Sequence, residues 1–216
     1  MRKKFTQYKK AATAEIVINF LKIFLKEFNP KNSDIKENDR EGLINDELEH
    51  FLDVVASDND YRFRIKATPE NRENQSKVDF AFRPKSINNS QIFFTIEAKR
   101  LPAYKTNIKT DYVCNDKQNG GIERFKWNKH GIDKNGKPIP QNAMIAYIEE
   151  HDFEYWYNQI NEWILEQEDN STALKWTKDE VLVKISFDEI ATLQSNHLRI
   201  NNENVMLNHF WIYLQH

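Results

Sequence analysis

Apolar positions along Ala11–Phe28 recur at helical spacing: Ile16, Phe20, Ile23, Phe24 and Phe28 fall near one stripe, and Pro30 ends the run. Asn29–Arg40 is polar and loop-like. Glu41–Ala56 repeats the helical period through Ile44, Leu48, Phe51, Leu52 and Val55. The period then falls to two. Tyr61, Phe63 and Ile65 alternate with polar neighbours, and Lys77–Phe82 sets Val78, Phe80 and Phe82 against Asp79 and Ala81. After the turn residues of Pro84–Ser90, Gln91–Lys99 is the strongest strand pattern in the chain, so the two segments predict a hairpin. Turn residues at Asn115–Gly121 lead into a short helix at Ile122–Trp127, a strand at Ala143–Glu149 and an amphipathic helix at Phe153–Glu166. Val181–Phe187 and Val205–Leu214 complete the series as strands. This mixture predicts an α/β fold, with a central mixed β-sheet of four or five strands flanked by α-helices. The chain reads as one domain over 1–216, with a helical extension at 1–40, a core at 41–150 and a closing helix and strands at 151–216.

Composition supports a buried core and removes several function classes. The chain of 216 residues is 39% hydrophobic and 12% aromatic, enough to bury an interior. It has five glycines and six prolines, and neither GxxxxGK[ST] nor GxGxxG occurs, so a Walker-type nucleotide site is excluded. Cys114 is the single cysteine, read as a free thiol without catalytic duty. Met1–Lys10 is basic and polar, and the apolar stretch after it is broken by Glu15, Asn19 and Lys22. No uncharged run approaches the roughly 20 residues of a membrane span. A soluble, cytoplasmic protein without a membrane partner is the expectation.

Net charge is −2, but the charges are segregated. From Lys99 to Lys137 ten Lys and Arg face four acids, whereas Tyr147–Asn170 has eight acids and no Lys or Arg. Such a division offers one phosphate-attracting side and one repelling side, or an ordinary solvated surface.

The hairpin concentrates the chemistry. Residues two apart in a strand share a face, so Glu97 and Lys99 project together while Ile96 and Ala98 point to the core. Pairing with the preceding strand brings Asp79 to the same corner. Two close carboxylates repel unless a cation lies between them. A hard divalent ion such as Mg²⁺ satisfies them, because it takes a few carboxylate oxygens together with waters and phosphate oxygens. An ammonium beside it can orient the attacking water and stabilise the charge that develops on phosphorus.

Asp79, a gap of 17 residues, and Glu97-Ala98-Lys99 at the end of an apolar strand resemble the signature of the PD-(D/E)XK nuclease superfamily, with Val78 in place of the usual proline. Asn119-Gly-Gly-Ile-Glu-Arg124-Phe, preceded by Gln118, is similar to the segment after that strand in a restriction- and phage-defence subset. Ser195-Asn-His197-Leu-Arg199 and Leu207-Asn-His209-Phe-Trp resemble the C-terminal end of the same subset. The resemblance implies a restriction-endonuclease-like core and Mg²⁺-dependent hydrolysis of nucleic acid, DNA before RNA, with Mn²⁺ able to substitute. Its setting would be restriction or antiviral defence, with a homodimer or a protein such as an ATPase as partner. It implies that Asp79, Glu97 and the main-chain carbonyl of Ala98 hold the metal and that Lys99 assists the water. Glu41, or else Glu47, supplies a further acid from the preceding helix. Gln118, Arg124 and Arg100 are candidates for contact with nucleic acid.

Other residues carry weaker readings. The six histidines show neither HExxH nor a Cys/His zinc spacing. His197 and Arg199 either bind phosphate or cap a strand. The aromatics Phe153, Tyr155, Trp156, Tyr157 and Trp163 lie in an acidic helix, which favours core packing over base stacking. Met1–Lys10 is either a basic arm on nucleic acid or a frayed terminus. The rival functions are a non-cleaving nucleic-acid-binding or assembly subunit on the same fold, and an interaction domain in which Asp79 and Glu97 lie far apart.

Overall fold

The Thr13 hydroxyl accepts a hydrogen bond from the Ile16 amide at 3.4 Å and so starts helix α1, Ala14–Phe24, with Glu15 in its first turn. A single 3₁₀ turn, Leu25–Glu27, ends it before Pro30. The computed structural model describes residues 12–30, 40–66, 78–86, 88–103, 110–115, 117–168 and 173–214. The basic arm at 1–10, most of the polar segment at 29–40, and Lys105 and Lys109 of the basic stretch lie outside the described residues.

The remaining elements are α2 (Arg40–Asp58), β1 (Phe63–Lys66), β2 (Phe80–Pro84), β3 (Phe94–Leu101), α3 (Gly121–Lys126), β4 (Gln141–Ile148), α4 (Phe153–Glu168), β5 (Val183–Phe187), β6 (Ala191–Leu198) and β7 (Asn204–Tyr213). The strands form one mixed sheet in the order β1-β2-β3-β4-β7-β6-β5. Strands β3, β4 and β7 run parallel to one another, and the outer pairs are antiparallel. Helices cover both faces, so the class is α/β. β3 is buried at every position, as expected of a central strand enclosed on both sides.

Two apolar layers sandwich the sheet. On one face Val17, Phe20 and Leu21 of α1 and Ile44, Leu48 and Leu52 of α2 pack on Phe63, Phe80, Phe82, Phe94, Ile96 and Ala98. Residues 12–28 thus contribute to the same core as the sheet. On the other face Ile122 and Phe125 of α3 and Trp156, Ile160, Trp163 and Ile164 of α4 pack on Leu101, Met144, Ala146, Leu193, Leu207 and Trp211. The α4 aromatics Trp156 and Trp163 therefore serve the core, as their acidic setting suggests. No helix among the described residues is long and apolar enough to cross a membrane.

Three sequence expectations need correction. The sheet has seven strands, not four or five: all six segments with strand patterns enter it, and β6, which escapes the apolar pattern, is the seventh. Its inward positions include Ser195 and His197, both buried, which read as polar in the sequence. The first hairpin strand starts at Phe80, three residues later than Lys77, and extends to Pro84. Val78 precedes the strand and packs with Ala81, Ile92 and Ile139 instead of with Phe80 and Phe82.

Candidate active site

Strand register decides where the charged side chains meet. Ala81 stands opposite Thr95 and Phe80 opposite Ile96, which carries Asp79 to the level of Glu97 at the end of β2. Asp79 Oδ2 accepts a hydrogen bond of 2.8 Å from the main-chain amide of Ala98, and Asp79 Oδ1 accepts one of 3.0 Å from Asn45 Nδ2 on α2. The hydroxyl of Tyr147 on β4 donates to Asn45 Oδ1 at 2.6 Å, so three elements fix the Asp79 carboxylate.

Lys99 Nζ is the centre of a carboxylate cluster. It lies 3.0 Å from Glu97 Oε1, 3.6 Å from Asp111 Oδ2 and 3.7 Å from Glu41 Oε1. Glu41 comes from the first turn of α2, and its other oxygen accepts from the Arg100 amide at 3.3 Å. Glu41 is therefore the α2 acid that reaches the lysine. Glu97 is the most enclosed member, with its side chain 1% exposed. Arg124 Nη1 donates to Glu97 Oε1 at 2.6 Å, and His130 Nδ1 lies 3.1 Å from Glu97 Oε2.

The electrostatics divide the acids into two kinds. Burial pushes the Glu97 carboxyl up, but Lys99, then His130 and Arg124, overcome this and hold it well below the usual carboxylate range. For Asp79, burial and the neighbouring Glu97 raise the carboxyl well above its ordinary value, and Lys99 and the Ala98 amide offset this only in part. Glu41 is raised for the same first reason, burial. Burial would lower the Lys99 ammonium, but Glu97, Glu41, Asp111 and Asp79 together hold it above its ordinary value. Lys99 is thus shared among four carboxyl groups, and Arg124 adds a second cation only at Glu97.

The segment before α3 is built to place Asp111 and Arg124. The first three amides of the helix, Gly121, Ile122 and Glu123, donate to the carbonyls of Asp111, Tyr112 and Val113 at 2.7, 3.1 and 2.9 Å. Glu123 Oε2 accepts from the amides of Asn115 and Gly120, each at 3.2 Å. Chain approach here is too close for a side chain: a Cβ on Gly120 would come 2.2 Å from Cys114 Cα. The Asn119-Gly-Gly-Ile-Glu-Arg124 string therefore has a packing reason for its glycines and Glu123, and a site role only in Arg124.

Behind α3 runs a buried polar chain. Trp211 Nε1 donates to the Tyr112 hydroxyl at 3.0 Å, which leaves that hydroxyl's one hydrogen for His209 Nδ1 at 2.8 Å. His209 then donates from Nε2 to Ser195 Oγ at 2.7 Å, Ser195 to His197 Nε2 at 2.6 Å, and His197 from Nδ1 to Glu180 Oε2 at 2.8 Å. Lys126 Nζ closes the chain on the same Glu180 oxygen at 2.5 Å. Tyr112, next to one end, and Lys126, at the other, belong to the segment that carries Asp111 and Arg124.

Arg199 organises the next loop. It is 2% exposed, and its guanidinium donates to the carbonyls of Phe125, His130, Gly131 and Ile139 and to Asn128 Oδ1, at 2.7 to 3.2 Å. Gly131 has φ of +64°, and a Cβ there would meet Arg199 Nη2 at 2.8 Å, so only glycine suits the turn after His130.

The structure brings Asp79, Glu97, Lys99, Glu41, Ala98 and Arg124 together. Gln118 is exposed, in the left-handed region with φ of 56°, and its carbonyl accepts from Lys129 Nζ at 2.6 Å. Arg100 goes elsewhere: its guanidinium forms a buried bidentate pair with Glu149 at 2.6 and 2.7 Å. His197 and Arg199 are enclosed by protein, so neither faces a ligand. Asn45, Asp111, His130 and Tyr147 were not singled out from the sequence. Only Asn45, one turn after Glu41 on the same helix, carried a signal in its spacing.

Comparison of the chain with protein-family models, characterised proteins and solved structures returns no match.

Proposed function

We propose that the chain is a metal-dependent nuclease that hydrolyses phosphodiester bonds, DNA before RNA, on a restriction-endonuclease-like core. One observation carries the reading: Lys99 Nζ lies within 4 Å of Glu97, Asp111 and Glu41, while Asp79 is bonded to the amide between Glu97 and Lys99. Among the described residues no group of His, Cys, Asp or Glu is already disposed around a metal position. The donor chemistry nevertheless fits a hard divalent ion, because the donors are carboxylate oxygens, and burial, with repulsion from Glu97, raises the Asp79 and Glu41 carboxyls more than Lys99 lowers them. Asp79, Glu97 and the Ala98 carbonyl, supported by Glu41, would hold Mg²⁺, with Mn²⁺ as substitute. Bound there, the ion supplies a Lewis acid for a phosphate oxygen and lowers the pKa of a bound water.

The chain's own groups have separable tasks. Lys99 stays an ammonium and is placed to orient a water and to stabilise charge on the phosphoryl oxygens. Glu97 stays ionised between three basic groups. Arg124, partly exposed, offers a second guanidinium nitrogen to phosphate while one nitrogen holds Glu97. A restriction or antiviral setting and a homodimer or ATPase partner rest on the sequence resemblance, and a cytoplasmic location on the polar N-terminal segment and the lack of a long uncharged apolar run in the sequence.

A second reading, a binding or assembly subunit that keeps the fold without cleaving, draws on the fact that Lys99, Arg124 and His130 already compensate Glu97. Cleavage of plasmid and of labelled oligonucleotides with Mg²⁺ or Mn²⁺ separates the two. Wild type should cut, and folded Lys99→Ala and Asp79→Ala should lose at least about 100-fold in rate, the scale for loss of a transition-state stabiliser. Equal rates for Lys99→Ala and wild type would end the nuclease assignment.

A further inference from the structure

At one edge of the sheet, as the described residues form it, β1 and β2 place two arginines directly opposite each other: Arg64 pairs with Arg83, and Lys66 pairs with Ala81. Like charges directly opposed across strands are destabilising, so the arrangement is anomalous unless something anionic covers it. These residues border a groove of about 390 Å³ lined by Arg64, Lys66, Arg83 and Lys85, with Ser86, Asn89 and Ser90 also in its lining. No Asp or Glu lines it among the described residues. Arg83 Nε is enclosed without a hydrogen-bond partner among them, a buried donor that lacks its acceptor. Arg64, Lys66 and Lys85 are exposed.

Its position relates the groove to the carboxylate cluster. Ala81 stands opposite Thr95, and side chains alternate along a strand, so Arg64, Lys66, Arg83, Thr95 and Glu97 all share one face of the sheet. From Asp79 to Arg83 is roughly 13 Å at about 3.3 Å per residue.

We propose that this groove binds the phosphodiester backbone of a nucleic acid strand, roughly 13 Å along β2 from the carboxylate cluster at Asp79. The inference rests on the nuclease reading for its substrate class and goes beyond it in assigning Arg64, Lys66, Arg83 and Lys85 as phosphate contacts. These contacts position the strand without reading its sequence, because they face phosphates and not base edges.

The test uses the full chain with fluorescein-labelled single- and double-stranded oligonucleotides, with anisotropy followed from 50 to 200 mM salt in EDTA. The comparison is wild type against Arg64→Gln/Lys66→Gln/Lys85→Gln, three exposed positions, with Arg83→Gln measured separately. The triple variant should bind at least about tenfold more weakly. The slope of log K against log salt should shrink by about 2 to 3, since each phosphate contact contributes about 0.7 to 0.9. Its thermal midpoint should equal or exceed that of wild type, because the Arg64–Arg83 repulsion is relieved. A triple variant that binds with wild-type affinity and slope overturns the proposal. So does wild type that fails to bind either oligonucleotide at 50 mM salt, or that binds phosphatidylserine vesicles and not nucleic acid. Binding in EDTA is independent of cleavage, so absence of cutting counts against the nuclease reading and leaves this measurement intact.

Discussion

The main-chain amide of Ala98 donates to Asp79 at 2.8 Å, so the residue between Glu97 and Lys99 is also the one that fixes the third acid. Asn45 completes the arrangement. It donates to Asp79 and accepts from Tyr147, whose phenol burial pushes well above its ordinary pKa and so keeps as a donor. Asn45 cannot act on substrate through these bonds; it acts by holding Asp79.

On the nuclease reading, Asn45→Ala should lower cleavage by about 10- to 100-fold, the usual effect of losing a group that orients a metal ligand. The loss should lessen as Mg²⁺ is raised, because the weakened step is assembly of the carboxylates. Cleavage rate against Mg²⁺ concentration for the variant and wild type checks this; identical curves would remove Asn45 from the site.

Arg124 can be tested against its alternative as surface charge. Its Nη1 lies 2.6 Å from Glu97 Oε1 inside a nearly closed site, so it both holds Glu97 and faces outward. Arg124→Lys should recover only part of the activity lost in Arg124→Ala, because an ammonium lacks the guanidinium fork. Full recovery by lysine would show that charge alone matters there.

The apolar pattern along the chain made the central hairpin, α2 and α4 legible, since Phe63, Phe82, Phe94, Trp156 and Ile160 fall on strand or helix spacing. It also made Asp79, Glu97 and Lys99 legible, because the two-residue spacing puts Glu97 and Lys99 on one face and pairing of the two strands can bring Asp79 to the same corner. The pattern fails where buried positions are polar. Ser195, His197 and His209 are inside, yet each satisfies its neighbour through hydrogen bonds and looks like surface in the sequence. Asp111 and His130 reach the site through loops whose paths are set by Glu123 and Arg199, long-range contacts that no local spacing encodes. Arg100 stands next to Lys99 in the sequence but points to Glu149, the consequence of alternation along β3.

Arg199 should matter for stability more than for any ligand. Burial lowers its guanidinium to a pKa of about 10, and five oxygens from the Phe125–Ile139 segment accept from it. Arg199→Met leaves buried carbonyls without donors, and the expected cost is about 3 to 5 kcal/mol, as for breaking a buried ionic network. Urea unfolding of the variant and wild type measures it. A cost below about 1 kcal/mol would mean that the loop carrying His130 is held by other contacts.

The chain from Trp211 to Glu180 fixes the sign of a pH dependence. Burial lowers His197, and burial together with His197 lowers His209 well below its ordinary value; Lys126 adds to the effect on His197, and Glu180 opposes it only in part. Both imidazoles therefore stay neutral in the folded protein while the unfolded chain takes up protons below about pH 6.5. Stability is then present above that pH and lost as pH falls through it, at up to about 1.4 kcal/mol per pH unit for each excluded proton. Glu180 acts in the same direction at lower pH, because burial pushes its carboxyl up but His197 and Lys126 overcome this and hold it below its ordinary value. His209→Gln keeps one donor and one acceptor for Ser195 and Tyr112 but cannot titrate. Between pH 7 and 5 its unfolding free energy should fall less steeply than that of wild type, by about one proton's worth. Parallel pH profiles for the two proteins would show that His209 is protonated within the fold, and the hydrogen bond between Tyr112 and His209 Nδ1 would then have to run from the imidazole to the phenol.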